Sequence, residues 1–223
     1  MEGNKVRSQV LLIVPTRSRP EKSLEFYEAF RENSSITDLL FALDDDDVEY
    51  PQIEGAQYEI NPRMGMNGTL NYVANKYAEE YDYLAFMGDD HRIRTKDWDK
   101  DLVASITGFE NGVAYGNDLL QGSNLPTAVL MDAHIVRKLG YMAPPKQRHL
   151  YLDDFWKELG NALGTLRYSP GVIIEHLHFT NGKADSDALY QEVNAPELYN
   201  KDREAYNEYL ANDFNSDLEK LKS

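Results

Sequence analysis

Tyr83-Leu84-Ala85-Phe86-Met87-Gly88-Asp89-Asp90-His91 joins a short apolar run to two carboxylates and an imidazole. The apolar part reads as a buried β-strand, since a continuous run of this length fits a strand covered on both faces. The polar part then lies at that strand's carboxyl end, where open α/β sheets present their ligand-binding loops. Asp89 and His91 are two residues apart, so an extended backbone would project both side chains to one side. Carboxylate oxygen with imidazole nitrogen suits Mn²⁺ or a similar first-row ion better than Ca²⁺. An ion held there could neutralise a departing diphosphate. An isolated Asp-Asp-His is equally compatible with a polar turn, and the rest of the chain decides between the two.

Upstream, Val10-Leu11-Leu12-Ile13-Val14 is a second apolar run, and it ends in the turn Pro15-Thr16-Arg17-Ser18-Arg19-Pro20. A helix is predicted over 21–32, with Leu24, Phe26, Tyr27 and Phe30 as its apolar stripe. A strand over 39–43 runs into Asp44-Asp45-Asp46-Asp47, and a shorter strand lies near 58–60. A helix from 67 to about 80 turns Leu70, Val73, Ala74 and Tyr77 inward. Strands alternating with helices predict an α/β fold, a mixed and mostly parallel sheet flanked by helices. Three polar clusters, at 15–19, 44–47 and 89–91, all fall at strand carboxyl ends. Chance polarity explains each cluster singly but explains the set less well.

The second half reads as strands at 113–115 and 127–131, a helix over 133–139 stopped by Gly140, a helix over 151–163, and a strand over 171–174. That last strand leads into Glu175-His176-Leu177-His178. The stretch 180–188 has no apolar period and is expected to act as a lid. From 196 onward Leu198, Tyr206, Tyr209, Leu210, Phe214, Leu218 and Leu221 recur at helical spacing. The expected organisation is one domain over 1–190 with a C-terminal helical extension, 191–223, packed on it.

Composition narrows the function classes. A formal charge of −15 on 223 residues weighs against a broad basic footprint for nucleic acid. With no cysteine, disulfides and thiolate metal sites are excluded. No apolar run reaches the roughly 18 residues of a membrane span, so a soluble, cytoplasmic protein is expected.

Taken in order, several motifs resemble GT-A glycosyltransferases of the large family-two-like group. Val14-Pro15-Thr16-Arg17-Ser18-Arg19-Pro20 is similar to the turn that touches the donor nucleotide, with Ser18 in place of the usual Asn. Leu43-Asp44-Asp45 resembles the acidic end of the second strand, which recognises base or ribose. Gly88-Asp89-Asp90-His91 resembles the metal-binding Asp-x-Asp motif in its Asp-x-His form. Further on, Leu139-Gly140-Tyr141, Leu152-Asp153-Asp154, Trp156, Leu159-Gly160, Tyr168, Pro170 and His176 follow one another as in the family's second half. There a Glu-Asp pair precedes a helix; Asp153 stands where Glu is common, and Asp154 matches the Asp. The resemblance spans roughly residues 8–183.

It implies metal-assisted transfer of a sugar from a nucleotide-diphosphate sugar, first of all a UDP-sugar, to an acceptor hydroxyl. Mn²⁺, or Mg²⁺, would be held by Asp89 and His91 with His176 or His178. Pro15, Thr16, Arg17, Asp44, Asp45, Arg63, Asp89, Asp90 and Lys183 would contact the donor. Asp154 is the preferred general base of an inverting reaction, with Asp153 close behind; a capping role at the helix start is the competing reading. The acceptor is open among glycan, protein, lipid headgroup and modified nucleic-acid base. Two alternatives stand beside this one. A nucleotidyltransferase would be expected to carry a Gly-rich phosphate loop with a nearby Lys, and 15–20 holds no glycine. A non-catalytic nucleotide-sugar or glycan-binding module would have no need of the Asp153-Asp154 pair.

Overall fold

The structure, a computed structural model, describes residues 9–47, 49–183, 190–191 and 195–223. The elements run β1 (Val10–Pro15), α1 (Pro20–Asn33), β2 (Thr37–Asp44), β3 (Ala56–Asn61), α2 (Gly65–Tyr77), β4 (Tyr83–Phe86), β5 (His91–Ile93) and α3 (Trp98–Ile106). They continue with β6 (Val113–Asn117), β7 (Val129–Asp132), α4 (Ala133–Leu139), α5 (Leu152–Leu163) and β8 (Leu166–His176). Two helices close the chain, α6 (Pro196–Asn212) and α7 (Phe214–Lys222). The eight strands form one sheet in the order β3-β2-β1-β4-β7-β6-β8-β5. The first four run parallel. β7 is antiparallel to both β4 and β6, and β8 is parallel to β6 and antiparallel to β5.

The apolar runs are strands because both faces of the sheet are covered. Along β1, Leu11 and Ile13 pack on the side of α2, α4 and α5, whereas Val10, Leu12 and Val14 pack with Phe26 and Phe30 of α1 and with Trp98, Leu102 and Ile106 of α3. That is the period-two alternation of a strand read out on two cores. β8 is longer than the run 171–174 suggests. Its first part pairs with β6, the register shifts at Gly116/Asn117, and its last residues pair with β5. This switch of partner carries the strand on to His176.

The C-terminal helices contribute to the first of these cores through Tyr206, Tyr209 and Leu221. Tyr206 also stacks on Tyr151, with ring centroids 5.3 Å apart. Asp217 accepts hydrogen bonds from the Tyr141 and Tyr209 hydroxyls. Most of the expected lid falls on residues 184–188, outside the described residues.

Asp99, fully buried near the start of α3, ties the α1–β2 connection to the sheet. Its Oδ2 accepts from the backbone N–H of Ser35 and of Ile36 and from the Thr37 hydroxyl, each at 2.8 Å. Removing the carboxylate would leave all three donors without their acceptor. Asp99→Ala is therefore expected to cost about 3 kcal/mol in urea unfolding. Exposed Asp101→Ala in the same helix should cost no more than about 0.5 kcal/mol. Equal effects of the two changes would show that Asp99 is not the anchor.

Candidate active site

A cavity of about 310 Å³ opens at the carboxyl ends of β1, β2 and β4, and the N-terminal end of α5 lines it as well. Parallel strands direct their carboxyl ends to one edge, so loops far apart in sequence meet there. Of the residues expected to form the site, Pro15, Thr16, Arg17, Asp44, Arg63, Asp89, Asp90, His91, Asp153, His176 and His178 line this cavity. Three do not. Asp45 is exposed, and its backbone N–H is bonded to the Asn61 carbonyl. The Lys183 ammonium lies 2.6 Å from Glu175 Oε1. Asp154 is absent from the lining and is placed near Lys157 and Glu158.

The two aspartates after β4 do different things. The chain does not stay extended past Met87. Residues 89 and 90 form a turn closed by the His91 N–H on the Gly88 carbonyl at 3.1 Å, so Asp89 and His91 do not project together as a simple strand would have them. Asp89 is buried and points back to β1, accepting from the Thr16 hydroxyl at 2.7 Å and from Arg19 Nη1 at 3.1 Å. Burial, reinforced by the adjacent Asp90 charge, raises its pKa to about 6 against the pull of Arg19 and Thr16. Asp90 instead faces the imidazoles, with Oδ1 3.3 Å from His91 Nδ1 and Oδ2 3.4 Å from His176 Nε2.

His91 and His176 face each other across the β5–β8 ladder, their rings stacked with centroids 4.3 Å apart. Burial disfavours charge on both. For His91 burial prevails, aided by neighbouring His176, and its pKa is lowered. For His176 the hydrogen bond and charge of Asp90 outweigh burial, and its pKa is raised. Burial alone would raise Asp90, but the two histidines hold it well below the usual carboxylate range.

Ligand atoms of Asp90, His91 and His176 all lie within 4.8 Å of one another, the only such group among the described residues. His91 Nε2 and His176 Nδ1 are buried without a hydrogen-bond partner among the described residues. Gly88 leaves the cradle open. A Cβ there would come within 2.6 Å of Asp90 Oδ1 and 3.3 Å of His91 Nδ1. One carboxylate and two imidazoles fit a first-row divalent ion with bond lengths of about 2.0–2.2 Å. The buried Arg92 fixes the turn by donating to the carbonyls of Asp89 and His91, each at 2.8 Å, and it pairs with Glu25.

At the other end of the cavity Arg17 bridges the first two loops, donating to Asp44 at 2.9 Å and to Asp46 at 2.5 Å. Burial raises the Asp44 pKa, and Arg17 opposes it. On the third side, Asp153 and Asp154 occupy the first turn of α5, whose N-cap is Tyr151 with φ +66° and no side-chain cap. Neither aspartate is the cap. Burial and the adjacent Asp154 charge raise Asp153 to about 6.

Some cavity residues are not among those the sequence motifs single out. Arg148 and His149 line it just ahead of α5, and burial pushes the His149 pKa down to about 4. Their backbone N–H groups, with that of Leu150, all donate to Asp202 of α6 at 2.9 Å. The signal in the sequence is an Arg-His pair shortly before the Asp pair; nothing local links it to residue 202.

No protein-family model matches the chain, and no curated protein matches it in sequence. Solved structures do match in shape. A mannosyltransferase from Pyrobaculum calidifontis, in complex with GDP-Man and Mn²⁺, superposes with TM-score 0.57 at 12% identity over 98% of this chain and 74% of that one. Glucosyl-3-phosphoglycerate synthase from Mycobacterium tuberculosis, with Mn²⁺, UDP-Glc and phosphoglyceric acid, gives 0.55 at 12% identity over 76% of this chain and 72% of that one. A Bacillus anthracis protein described as a glucose-1-phosphate thymidylyltransferase gives 0.52 at 11% identity over 86% and 99%. The chain has the Rossmann-like GT-A fold.

Proposed function

We propose that this protein is a metal-dependent glycosyltransferase that moves a sugar from a nucleotide-diphosphate sugar to an acceptor hydroxyl with inversion. The observation that carries the reading is one cavity holding both the Asp90, His91 and His176 triad and a separate carboxylate, Asp153, with a raised pKa. Asp90, His91 and His176 would hold Mn²⁺ or Mg²⁺, which when bound supplies positive charge to the departing diphosphate. Arg17 with Asp44 and Arg63 forms the nucleotide end of the cavity. Solved structures of similar shape contain GDP-Man or UDP-Glc with Mn²⁺. Both donors belong in the test, beside the UDP-sugar expected from the sequence.

Of the two carboxylates we take Asp153 rather than Asp154 as the base, because Asp153 lines the cavity and Asp154 does not. The acceptor oxygen attacks the anomeric carbon, the bond from that carbon to the diphosphate oxygen breaks, and the acceptor proton passes to Asp153. A pKa of about 6 leaves Asp153 ionised at neutral pH yet more basic than an ordinary carboxylate. The thymidylyltransferase likeness keeps nucleotidyl transfer as a second reading, since the fold is common to both chemistries. The loop 15–20 lacks glycine, and that reading leaves Asp153 without a task. Incubation with UDP-Glc and GDP-Man separates them: sugar transfer releases nucleoside diphosphate, whereas nucleotidyl chemistry consumes or forms pyrophosphate.

Titration of Mn²⁺-dependent UDP and GDP binding tests the metal assignment. Asp90→Ala, His91→Ala and His176→Ala should each weaken it by about tenfold or more. His178→Ala should do less, because His178 lies outside the triad. Undiminished metal-dependent binding in all three triad variants would remove the assignment.

The base is tested by turnover. Asp153→Asn should lower it by about 10²–10⁴-fold with nucleotide affinity retained, while Asp154→Asn stays close to wild type. Wild-type turnover should fall as pH drops below about 6, where Asp153 takes up a proton. The linked stability runs the other way. A raised folded-state pKa favours the fold at low pH, and that contribution is lost as pH rises from about 4 through about 6. A full rate in Asp153→Asn would refute the assignment and favour a mechanism that needs no base.

A further inference from the structure

Four arginines line the cavity, and three of them face carboxylates. Arg17 pairs with Asp44 and Asp46, Arg19 with Asp89, and Arg63 lies 4.0 Å from Asp44. Arg148 is the exception, with no carboxylate partner among the described residues although acidic residues outnumber basic ones 38 to 23. A cation left unpaired at a cavity wall in so acidic a chain is suited to an anion that arrives from outside.

Its backbone is held in place on both sides. The Arg148 N–H donates to Asp202 Oδ1 at 2.9 Å, and its carbonyl accepts from the Asn67 N–H at 3.2 Å. Asp202, 2% exposed, takes the next two N–H groups as well, so three consecutive residues hang on one carboxylate. The Arg148 side chain lies across Gly65. A Cβ on that glycine would come within 2.5 Å of Arg148 Cγ and 2.8 Å of its carbonyl oxygen, and Gly65 has φ +76°. The left-handed backbone and the missing side chain at 65 leave the path along which the arginine reaches the cavity.

We infer that Arg148 is a phosphate-binding residue of this cavity, set in position by Asp202 from the C-terminal helix α6. A planar guanidinium with free donors matches phosphate oxygens bidentately. The phosphate comes either from the donor's diphosphate or from an acceptor that itself carries a phosphate group. The inference uses the transferase reading only to name these two sources; an unpaired cation on a preset backbone stands without it.

Calorimetric titration of wild type, Arg148→Gln, Arg148→Lys and Asp202→Asn is the test. The probes are UDP and GDP with Mn²⁺, then inorganic phosphate added to the protein alone and to the protein saturated with UDP and Mn²⁺. If the diphosphate is the target, Arg148→Gln weakens UDP and GDP by roughly 10- to 100-fold, and Arg148→Lys recovers part of the loss. If an anionic acceptor is the target, nucleotide affinity holds and phosphate binding to the saturated protein disappears. Either result supports the assignment. Arg148 is exposed, so its replacement leaves the fold intact, and Mn²⁺ binding read by electron paramagnetic resonance should not change. Wild-type affinity for both probes in Arg148→Gln would overturn the inference while leaving the transferase reading standing. A wild-type protein that binds phosphate through Arg148 yet shows no Mn²⁺-dependent nucleotide binding would support the inference and remove the transferase reading. Asp202→Asn should reproduce the affinity loss with Mn²⁺ binding unchanged; wild-type affinity there would remove Asp202 from the account.

Discussion

The antiparallel contact between β5 and the end of β8 is the constraint on which the site depends. β5 is three residues long and has little to hold it except that ladder and the α1 side of the sheet. The ladder sets His91 opposite His176, and the turn before it sets Asp90 against both. Two stacked imidazoles, His91 buried and His176 half-buried, stand beside the Asp90 carboxylate. Each ring has a buried nitrogen without a partner among the described residues, and such a group costs about 1–3 kcal/mol. The nitrogens that face Asp90 are the other two, His91 Nδ1 and His176 Nε2. Arg92 holds the turn in this arrangement by donating to the carbonyls of Asp89 and His91.

The acidity of the chain takes on a different meaning once the carboxylates are located. Asp99, Asp118 and Asp202 are each no more than 3% exposed. Each gathers backbone N–H groups from a loop: Asp99 from Ser35 and Ile36, Asp118 from Leu120, Gln121 and Gly122, and Asp202 from Arg148, His149 and Leu150. For Asp118 burial pushes the pKa upward, yet these backbone bonds outweigh it and the net shift is downward. An ionised carboxylate is an acceptor on both oxygens, so one side chain can satisfy several donors that a connection would otherwise leave without partners. A share of the net charge of −15 is thus internal scaffolding rather than a solvated face, and composition alone does not separate the two.

The parallel half of the sheet was legible because local pattern and final environment agree there. Val10 to Val14 read as buried on both sides, and two distinct cores cover them. Convergence of the clusters after β1, β2 and β4 followed from parallel topology, which needs only strand order and handedness. α3 was missed although Trp98, Leu102 and Ile106 repeat at four-residue spacing and are buried. Asp99, Lys100 and Asp101 between them masked the stripe, and no side chain caps its start. Which of Asp89 and Asp90 faces the histidines was not legible, because it depends on whether the chain turns or stays extended after Met87. That turn is set by Arg92 and by pairing with a strand that comes much later in sequence. The resemblance favours Asp154 over Asp153; which one meets the cavity depends on how α5 is rotated by its buried face of Leu152, Phe155, Trp156 and Leu159.

That rotation links the C-terminal helices to the cavity. α5 packs its aromatic face against Tyr209 while Tyr151, immediately before the helix, stacks on Tyr206. The same helix α6 supplies Asp202 to the loop that precedes α5. Three kinds of contact from one helix, aromatic packing, ring stacking and a carboxylate on backbone donors, therefore converge on residues 148–155. A loop held by a single weak contact would sample many arrangements of Arg148 and Asp153, and each would misplace a charge by more than hydrogen-bond tolerance. Redundant anchoring from a distant segment reduces that freedom before any ligand arrives, so less ordering has to accompany binding. The tail that reads in sequence as an extension packed on a domain is, by its contacts, one wall of the cavity's support.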